Sequence, residues 1–387
     1  MASVVDPLTE LNSVEAVKRD ELRQRKPRVY EKIRRFDAAA SKGVISPTLR
    51  LAWSYLCNFE CDHCCAEHRM DRYLIKITGK PEQRRRMNYE DLARLAQEAD
   101  EYGIYRFVLT GGEPTTWKDL FKVIGILDPD RHLVIMDSNA WLLGEHPELI
   151  RKLADAGVYK MQISLDSYIP AEHDQFRNKP GSYKRVMQTL PLMLEAGMKL
   201  MVSTCLVRDR AFSEEFEDLC RFCQDLGAML YVTYAKPTGT CGVHEDWVVT
   251  KRDADRIREL ERRYDITTHM TPSYMRDKKV GSAPLGHYDG CITVKGINTV
   301  EPTGDIVPCP YMDWSIGNIL HEPLAAVLDR GMRNRWLGPQ RNDCLIGEDL
   351  DFIQIHNARV AERKAQGNYD LPVPYGAGFS DADLIPA

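Results

Sequence analysis

Tyr159-Lys160-Met161-Gln162-Ile163-Ser164-Leu165-Asp166 alternates apolar and polar side chains without a break. That period of two is the pattern of a β-strand, with Tyr159, Met161, Ile163 and Leu165 on one face and Lys160, Gln162, Ser164 and Asp166 on the other. Helical runs flank it, which argues for parallel strands. A parallel strand covered by helices on both faces reads as nearly all apolar. A polar face turned inward instead suggests a lumen that holds a ligand.

The reading extends in both directions. Leu49 to Trp53, Tyr105 to Leu109 and His132 to Met136 come before as strand-like runs; Met198 to Leu206 and Met229 to Tyr234 come after. Between them stand the helical runs Asn88 to Tyr102, Trp117 to Ile126, Pro147 to Ala156, Ser182 to Glu195 and Ser213 to Leu226. This alternation predicts an α/β fold, a partial (β/α)6 TIM-like barrel. In the fifth strand Ser203 and Cys205 share one face, Val202 and Thr204 the other. After Gly239 the pattern changes. Thr250 to Arg263 reads as a helix, Asp265 to Gly290 as loop, Cys291 to Pro308 as a β-hairpin turning at Pro302-Thr303-Gly304-Asp305, and Pro323 to Arg330 as a helix. The expected organisation is a charged N-terminal extension (1–47), the barrel (48–241), a small domain with a hairpin and helix (242–350) and a C-terminal tail (351–387). In the extension, Val14 to Lys26 and Arg28 to Ala40 read as helices separated at Pro27, covering the barrel's end.

The chain has 387 residues, 43% hydrophobic and 28% charged, which places it among globular proteins rather than disordered ones. A net charge of -5 makes no electrostatic case for nucleic acid or a membrane surface. No apolar run approaches the ~20 residues of a membrane span, and Met1 to Lys26 lacks a signal-peptide core. Eleven cysteines are too few for a disulfide-dense secreted scaffold in a chain of this size. The expected setting is a reducing cytoplasm, where spacing tells packing thiols from ligands.

Cys57, Cys61 and Cys64 fall within eight residues, directly after the first strand, at the mouth where α/β barrels carry their chemistry. Three readings compete: a 4Fe–4S cluster with one open iron; a zinc site completed by Cys65, His63 or His68; or buried structural thiols. Asn58, Glu60, Asp62 and His63 make the loop polar, which disfavours the last. The two-plus-two pairing usual for zinc is missing.

The spacing Cys-x3-Cys-x2-Cys after strand one resembles the signature of the radical S-adenosylmethionine (SAM) enzymes. The resemblance implies a 4Fe–4S cluster on Cys57, Cys61 and Cys64 whose open iron is chelated by SAM, and release of a 5′-deoxyadenosyl radical that abstracts a substrate hydrogen. His63 takes the slot where the family usually has an aromatic near the adenine. Thr110-Gly111-Gly112-Glu113-Pro114 resembles the family's Gly-Gly-Glu motif, which implies backbone contact with the SAM amine. Asp137-Ser138-Asn139 resembles its Thr-Asn-Gly, and Ser164 and Asp166 stand where it contacts the ribose. Arg208 is the expected partner of the SAM carboxylate, and Lys236, in Tyr234-Ala235-Lys236-Pro237-Thr238-Gly239, lies near the expected adenine edge.

Cys291, Gly304 and Cys309 fit Cys-x12-Gly-x4-Cys, which resembles the opening of the auxiliary-cluster domain of the SPASM and twitch subfamilies. Ile316-Gly317-Asn318-Ile319 matches too, and Cys344 stands at a further ligand position. The resemblance implies a second iron–sulfur cluster on Cys291, Cys309 and Cys344. The usual next cysteine is replaced by Gly347, so a fourth ligand is open between substrate, His356, Glu348, Asp351 and Cys241. Cys220 and Cys223 share a helix face and read as packing. Cys205 and Cys241, near the mouth, are candidate catalytic thiols that return a hydrogen atom to a substrate radical. The short N-terminal extension favours a small-molecule substrate over a ribosomal peptide. The basic stretch Arg72 to Arg86 is either a solvated loop or a contact for an acidic flavodoxin- or ferredoxin-type electron donor. The rival class is a zinc-stabilised binding protein.

Overall fold

The computed structural model describes residues 13–40, 48–236, 238–264, 266–269, 291–339, 341 and 343–386. Pro237 and most of the expected loop from Asp265 to Gly290 lie outside the described residues.

Two helices, α1 (Ser13–Arg25) and α2 (Pro27–Ala40), precede the first strand. The barrel then runs β1 (Thr48–Ser54), α3 (Asp71–Thr78), α4 (Tyr89–Tyr102), β2 (Arg106–Gly111), α5 (Leu120–Ile126), β3 (Leu133–Ser138), α6 (Trp141–Glu145), α7 (Glu148–Asp155), β4 (Val158–Ser164), α8 (Pro170–Phe176), α9 (Ser182–Glu195), β5 (Lys199–Leu206), α10 (Glu214–Asp225) and β6 (Met229–Tyr234). After it come α11 (Lys251–Glu261), β7 (Ile266–His269), β8 (Asn298–Val300), β9 (Asp305–Val307), β10 (Gly317–Asn318), α12 (Leu324–Arg333) and α13 (Leu350–Ala365). Strands β1 to β7 are parallel and consecutive. The fold is a partial TIM-like barrel with a C-terminal hairpin.

The strand alternation has the expected cause. Met161, Ile163 and Leu165 are fully buried under the outer helices, while Lys160, Gln162 and Ser164 on the other face are only partly covered. Tyr159 departs from the pattern: it packs on a separate cluster of Leu22, Val29, Ile33, Phe36, Tyr105 and Leu133. That cluster is the underside of the barrel, where α1 and α2 cover the strands' N-terminal ends, far from the mouth.

Three differences from the sequence expectation stand out. The sheet gains β7, which pairs with β6 from Leu230↔Ile266 onward. The hairpin is joined to the barrel's own sheet, because β8 pairs in parallel with β1 over Leu49↔Asn298 to Leu51↔Val300. The C-terminal region holds the helix α13, capped by the Asp349 carboxylate on the Phe352 N–H. Its end is ordered: Val373 and Phe379 are fully buried, and Val373 bridges to Trp314. The basic stretch after the cysteines is also structured. Arg72 pairs with Glu67, Arg84 with Asp305, Arg85 with Asp91 and Arg86 with Asp71. Among the described residues no helix is long and apolar enough to cross a membrane.

Candidate functional site

The loop of Cys57, Cys61 and Cys64 is fastened by the segments that follow three strands. From β2, Gly112 N–H donates to the Ser54 carbonyl (3.1 Å) and Glu113 N–H to the Leu56 carbonyl (2.9 Å). Glycine is required at 112, because a Cβ there would lie 2.1 Å from the Leu56 carbonyl oxygen. Gly111 has φ +113°, a backbone region few other residues adopt. From β3, the Asn139 side-chain amide donates to Asn58 Oδ1 (2.8 Å). From the turn that follows β6, Thr240 N–H donates to the Cys64 carbonyl (3.0 Å), and its hydroxyl donates to the carbonyls of Cys61 and Cys64.

The buried Glu113 carboxylate ties β2 to β3. It accepts from Thr115 N–H, Thr115 Oγ1, Ser138 Oγ and Asn139 N–H at 2.6–3.1 Å. Burial raises its pKa, and these four donors work against that rise. Glu113 and Asn139 are therefore spent on holding the mouth together.

Burial pushes the Cys57 thiol up to about 12, and Cys61 and Cys64 are raised for the same reason. The three sulfurs are near enough that negative charge on one disfavours it on another. A metal centre reverses this, since its positive charge favours the thiolate form. Among the described residues no three or more Cys, His, Asp or Glu side chains converge as donors for a single ion.

Beside this loop lies a cavity of about 140 Å³, lined by His63, Cys65, Arg177, Ser203, Cys205, Thr233, Tyr234, Ala235, Lys236, Cys241 and Tyr311. His63 stacks on Phe176 at 4.2 Å, and its Nδ1 is buried without a partner. Burial, with Arg177 nearby, lowers its pKa to about 3, so the ring is neutral. Asp166 is enclosed: its carboxylate accepts from the Cys205 N–H (2.9 Å) and pairs with Arg177 (2.5 Å). Burial is the largest influence and opposes its charge, but Arg177, His63, His173 and the Cys205 N–H together overcome it and hold the carboxyl well below its usual range. Ser164 stands at the end of β4 on the lumen side. Cys205 and Cys241 face this cavity with Cys65, and burial keeps both thiols protonated, Cys241 at about 12.

Two expectations need correcting. Arg208 is exposed outside the cavity, with its Nε donating to the Val248 carbonyl (2.8 Å), because the chain turns outward after β5 through Asp209 at φ +62°. The cation at the mouth is Arg177, which sequence reasoning passed over. It lies just beyond α8 in no recognisable motif, and only folding sets it 4.0 Å from Cys61 Sγ. Lys236 is buried, but its Nζ is directed toward Cys344: a methyl group on Gly347 would lie 3.2 Å from Lys236 Nζ and 3.1 Å from Cys344 Sγ.

Cys291, Cys309 and Cys344 are brought together. Cys344 and Cys291 both raise the Cys309 thiol, after burial, and Cys291 also raises Cys344. The candidate fourth ligands separate. His356 is used up, since Nε2 accepts from the Asp313 N–H (3.1 Å) and Nδ1 contacts Asn357 Oδ1. Asp351 is exposed, and Cys241 belongs to the cavity. Glu348 adjoins Cys344, accepting its N–H at 2.6 Å. A buried ion network joins the first loop to this region: Arg69 pairs with Glu301 (2.7 Å) and Asp313 (2.9 Å), and His68 contacts Asp313 (2.8 Å).

Residues 52–223 match the model of the Radical SAM superfamily. That stretch takes in the barrel from β1 into α10 with the three-cysteine loop at its mouth, so the chain carries a radical SAM domain, and the cofactors of that family are a 4Fe–4S cluster and SAM. The chain is 25% identical over 304 residues to the AdoMet-dependent heme synthase of Nitratidesulfovibrio vulgaris, covering 73% of this chain and 79% of that one. It is likewise 25% identical over 309 residues to the GTP 3',8-cyclase of a Sulfurovum species, covering 75% and 90%. Among solved structures it resembles Streptococcus suis SuiB bound to precursor peptide SuiA, with a TM-score of 0.59 at 16% identity, covering 82% of this chain and 70% of that one. At that identity the likeness concerns the fold alone.

Proposed function

We propose that Cys57, Cys61 and Cys64 ligate the 4Fe–4S cluster and that the protein modifies a C–H bond of a small biosynthetic intermediate bound in the adjoining cavity. The observation that carries this is the three-cysteine loop, gripped by the segments that follow β2, β3 and β6 directly against a half-open cavity. When bound, the cluster and SAM supply a 5′-deoxyadenosyl radical that abstracts hydrogen.

The chain's own residues do the rest. Backbone at Gly111 and Gly112 reaches the amine end of SAM. Neutral His63 offers its ring to the adenine, and Ser164 offers a hydroxyl to the ribose. Arg177, in place of Arg208, is the cation for the SAM carboxylate. Protonated Cys205 and Cys241 are the thiols able to return a hydrogen atom to a substrate radical. The names of the two relatives, a heme synthase and a GTP cyclase, favour a small molecule over a peptide. Cys291, Cys309 and Cys344 hold a second iron–sulfur cluster, with Glu348 the nearest candidate for its fourth ligand. A flavodoxin- or ferredoxin-type protein supplies the electron.

The test is anaerobic reconstitution followed by dithionite reduction with SAM. Formation of 5′-deoxyadenosine is expected, its loss when Cys57, Cys61 and Cys64 are replaced together by Ala, and partial retention when Cys291, Cys309 and Cys344 are replaced. A colourless, zinc-containing protein without SAM cleavage overturns the proposal.

A further inference from the structure

Lys236 stands between two features. It lines the cavity beside Cys241 and Tyr311, and its ammonium is directed toward the second group of cysteines across Gly347. It is only 7% exposed. A buried ammonium is costly unless negative charge compensates it. Lys236 Nζ and Cys344 Sγ flank the same point, 3.2 and 3.1 Å from where a Cβ on Gly347 would stand, so thiolates holding a cluster there supply that charge. The backbone is committed as well: the Lys236 N–H bonds to the Cys241 thiol, and its carbonyl accepts from Thr238 N–H at 2.7 Å. The side chain is thus delivered from the end of β6 by a fixed segment.

We infer that Lys236 is an electrostatic positioning residue for the second iron–sulfur cluster, set in the wall between that cluster and the substrate cavity. The inference rests on the proposal that Cys291, Cys309 and Cys344 hold such a cluster. Reduction adds one negative charge to a cluster, and a nearby fixed cation stabilises the reduced form more than the oxidised one. Lys236 therefore raises the reduction potential of that cluster. It does the same for no group on the outer surface, where water screens the charge.

The experiment compares the reconstituted full chain with Lys236→Met and Lys236→Arg variants, reading iron content and the midpoint of each cluster in an EPR-monitored redox titration. SAM perturbs the signal of the first cluster and so tells the two apart. The titration is repeated in the Cys57→Ala, Cys61→Ala, Cys64→Ala background, which retains only the second cluster. A lower midpoint for the second cluster in Lys236→Met, restored in Lys236→Arg with the first cluster's midpoint unchanged, is the expected result. Loss of the second cluster in the Met variant with retention in the Arg variant also supports a requirement for the charge. An unchanged midpoint in Lys236→Met, or equal loss of the cluster in both variants, overturns the inference while leaving the second cluster in place. Iron for a single cluster in the unaltered chain overturns the underlying proposal as well.

Discussion

Replacing Gly112 by Ala probes the grip on the cysteine loop most directly. The added methyl would stand 2.1 Å from the Leu56 carbonyl oxygen, 2.5 Å from its carbon and 2.6 Å from the Tyr55 oxygen. Carbon atoms pack at about 3.5–4.0 Å, so the strands must part by roughly 1 Å or more. The obstructing atoms are all backbone, and they belong to the segment that leads into Cys57. Two hydrogen bonds, from Gly112 N–H to Ser54 and from Glu113 N–H to Leu56, link the same strands and would stretch. Overpacking of this kind costs about 1–3 kcal/mol of stability, and a 1 Å misplacement at a reacting centre costs on the order of 100-fold in rate. The assay is 5′-deoxyadenosine formation per bound cluster, with thermal melting alongside. Gly125→Ala is the control: nothing lies within 4 Å of its Cβ position in α5, and helical Gly→Ala gains about 0.5–1 kcal/mol. Full iron content and unaltered SAM cleavage in Gly112→Ala would refute the idea that this contact positions the loop.

Arg177→Gln strands the buried Asp166 carboxylate and should cost about 3–5 kcal/mol, read as a denaturant midpoint, with partial rescue by Arg177→Lys; a loss below about 1 kcal/mol counts against the pair. Glu113→Gln turns an amide donor toward groups that already donate, and the unpaired group should cost about 1–3 kcal/mol and loosen the mouth, seen as lower SAM affinity. His132 and His173 are buried, and burial lowers both to about 4. Their unfolded forms take up protons below about 6.5, so stability is full above that pH and falls toward pH 4 by up to about 2.7 kcal/mol per pH unit for the two together. Urea titrations at pH 7 and pH 5 measure this, and equal stability at both would refute the neutral assignment. Cys205→Ala and Cys241→Ala should each reduce solvent-deuterium incorporation into product if that thiol is the hydrogen donor; unchanged incorporation removes the residue from the role.

The barrel was legible because its strands advertise themselves. Met161, Ile163 and Leu165 must be apolar to pack under helices, and Lys160, Gln162 and Ser164 are free to be polar because they face the lumen. The cysteine loop was legible for a similar reason: thiols needed on one short loop must stand close in sequence. Helix α13 was missed because Ile353, Ile355 and Val360 are β-branched and its apolar face is weak, so its identity rests on the Asp349 cap and on Phe352 packing against Trp314 and Phe379. Strand β7 was missed because four residues following a helix carry little periodic signal.

Local order along the chain determined the alternation of strands and helices, the glycines of the mouth and both groups of cysteines, since these depend on neighbours within a few residues. Only the tertiary structure decided which charged groups reach the site. Arg177 lies at the cavity where Arg208 does not, and Lys236 is turned toward the second thiols. The physical reason is that a long side chain leaving a strand end has several directions available. Packing from distant elements, the hairpin on β1 and the turn after β5, leaves it one.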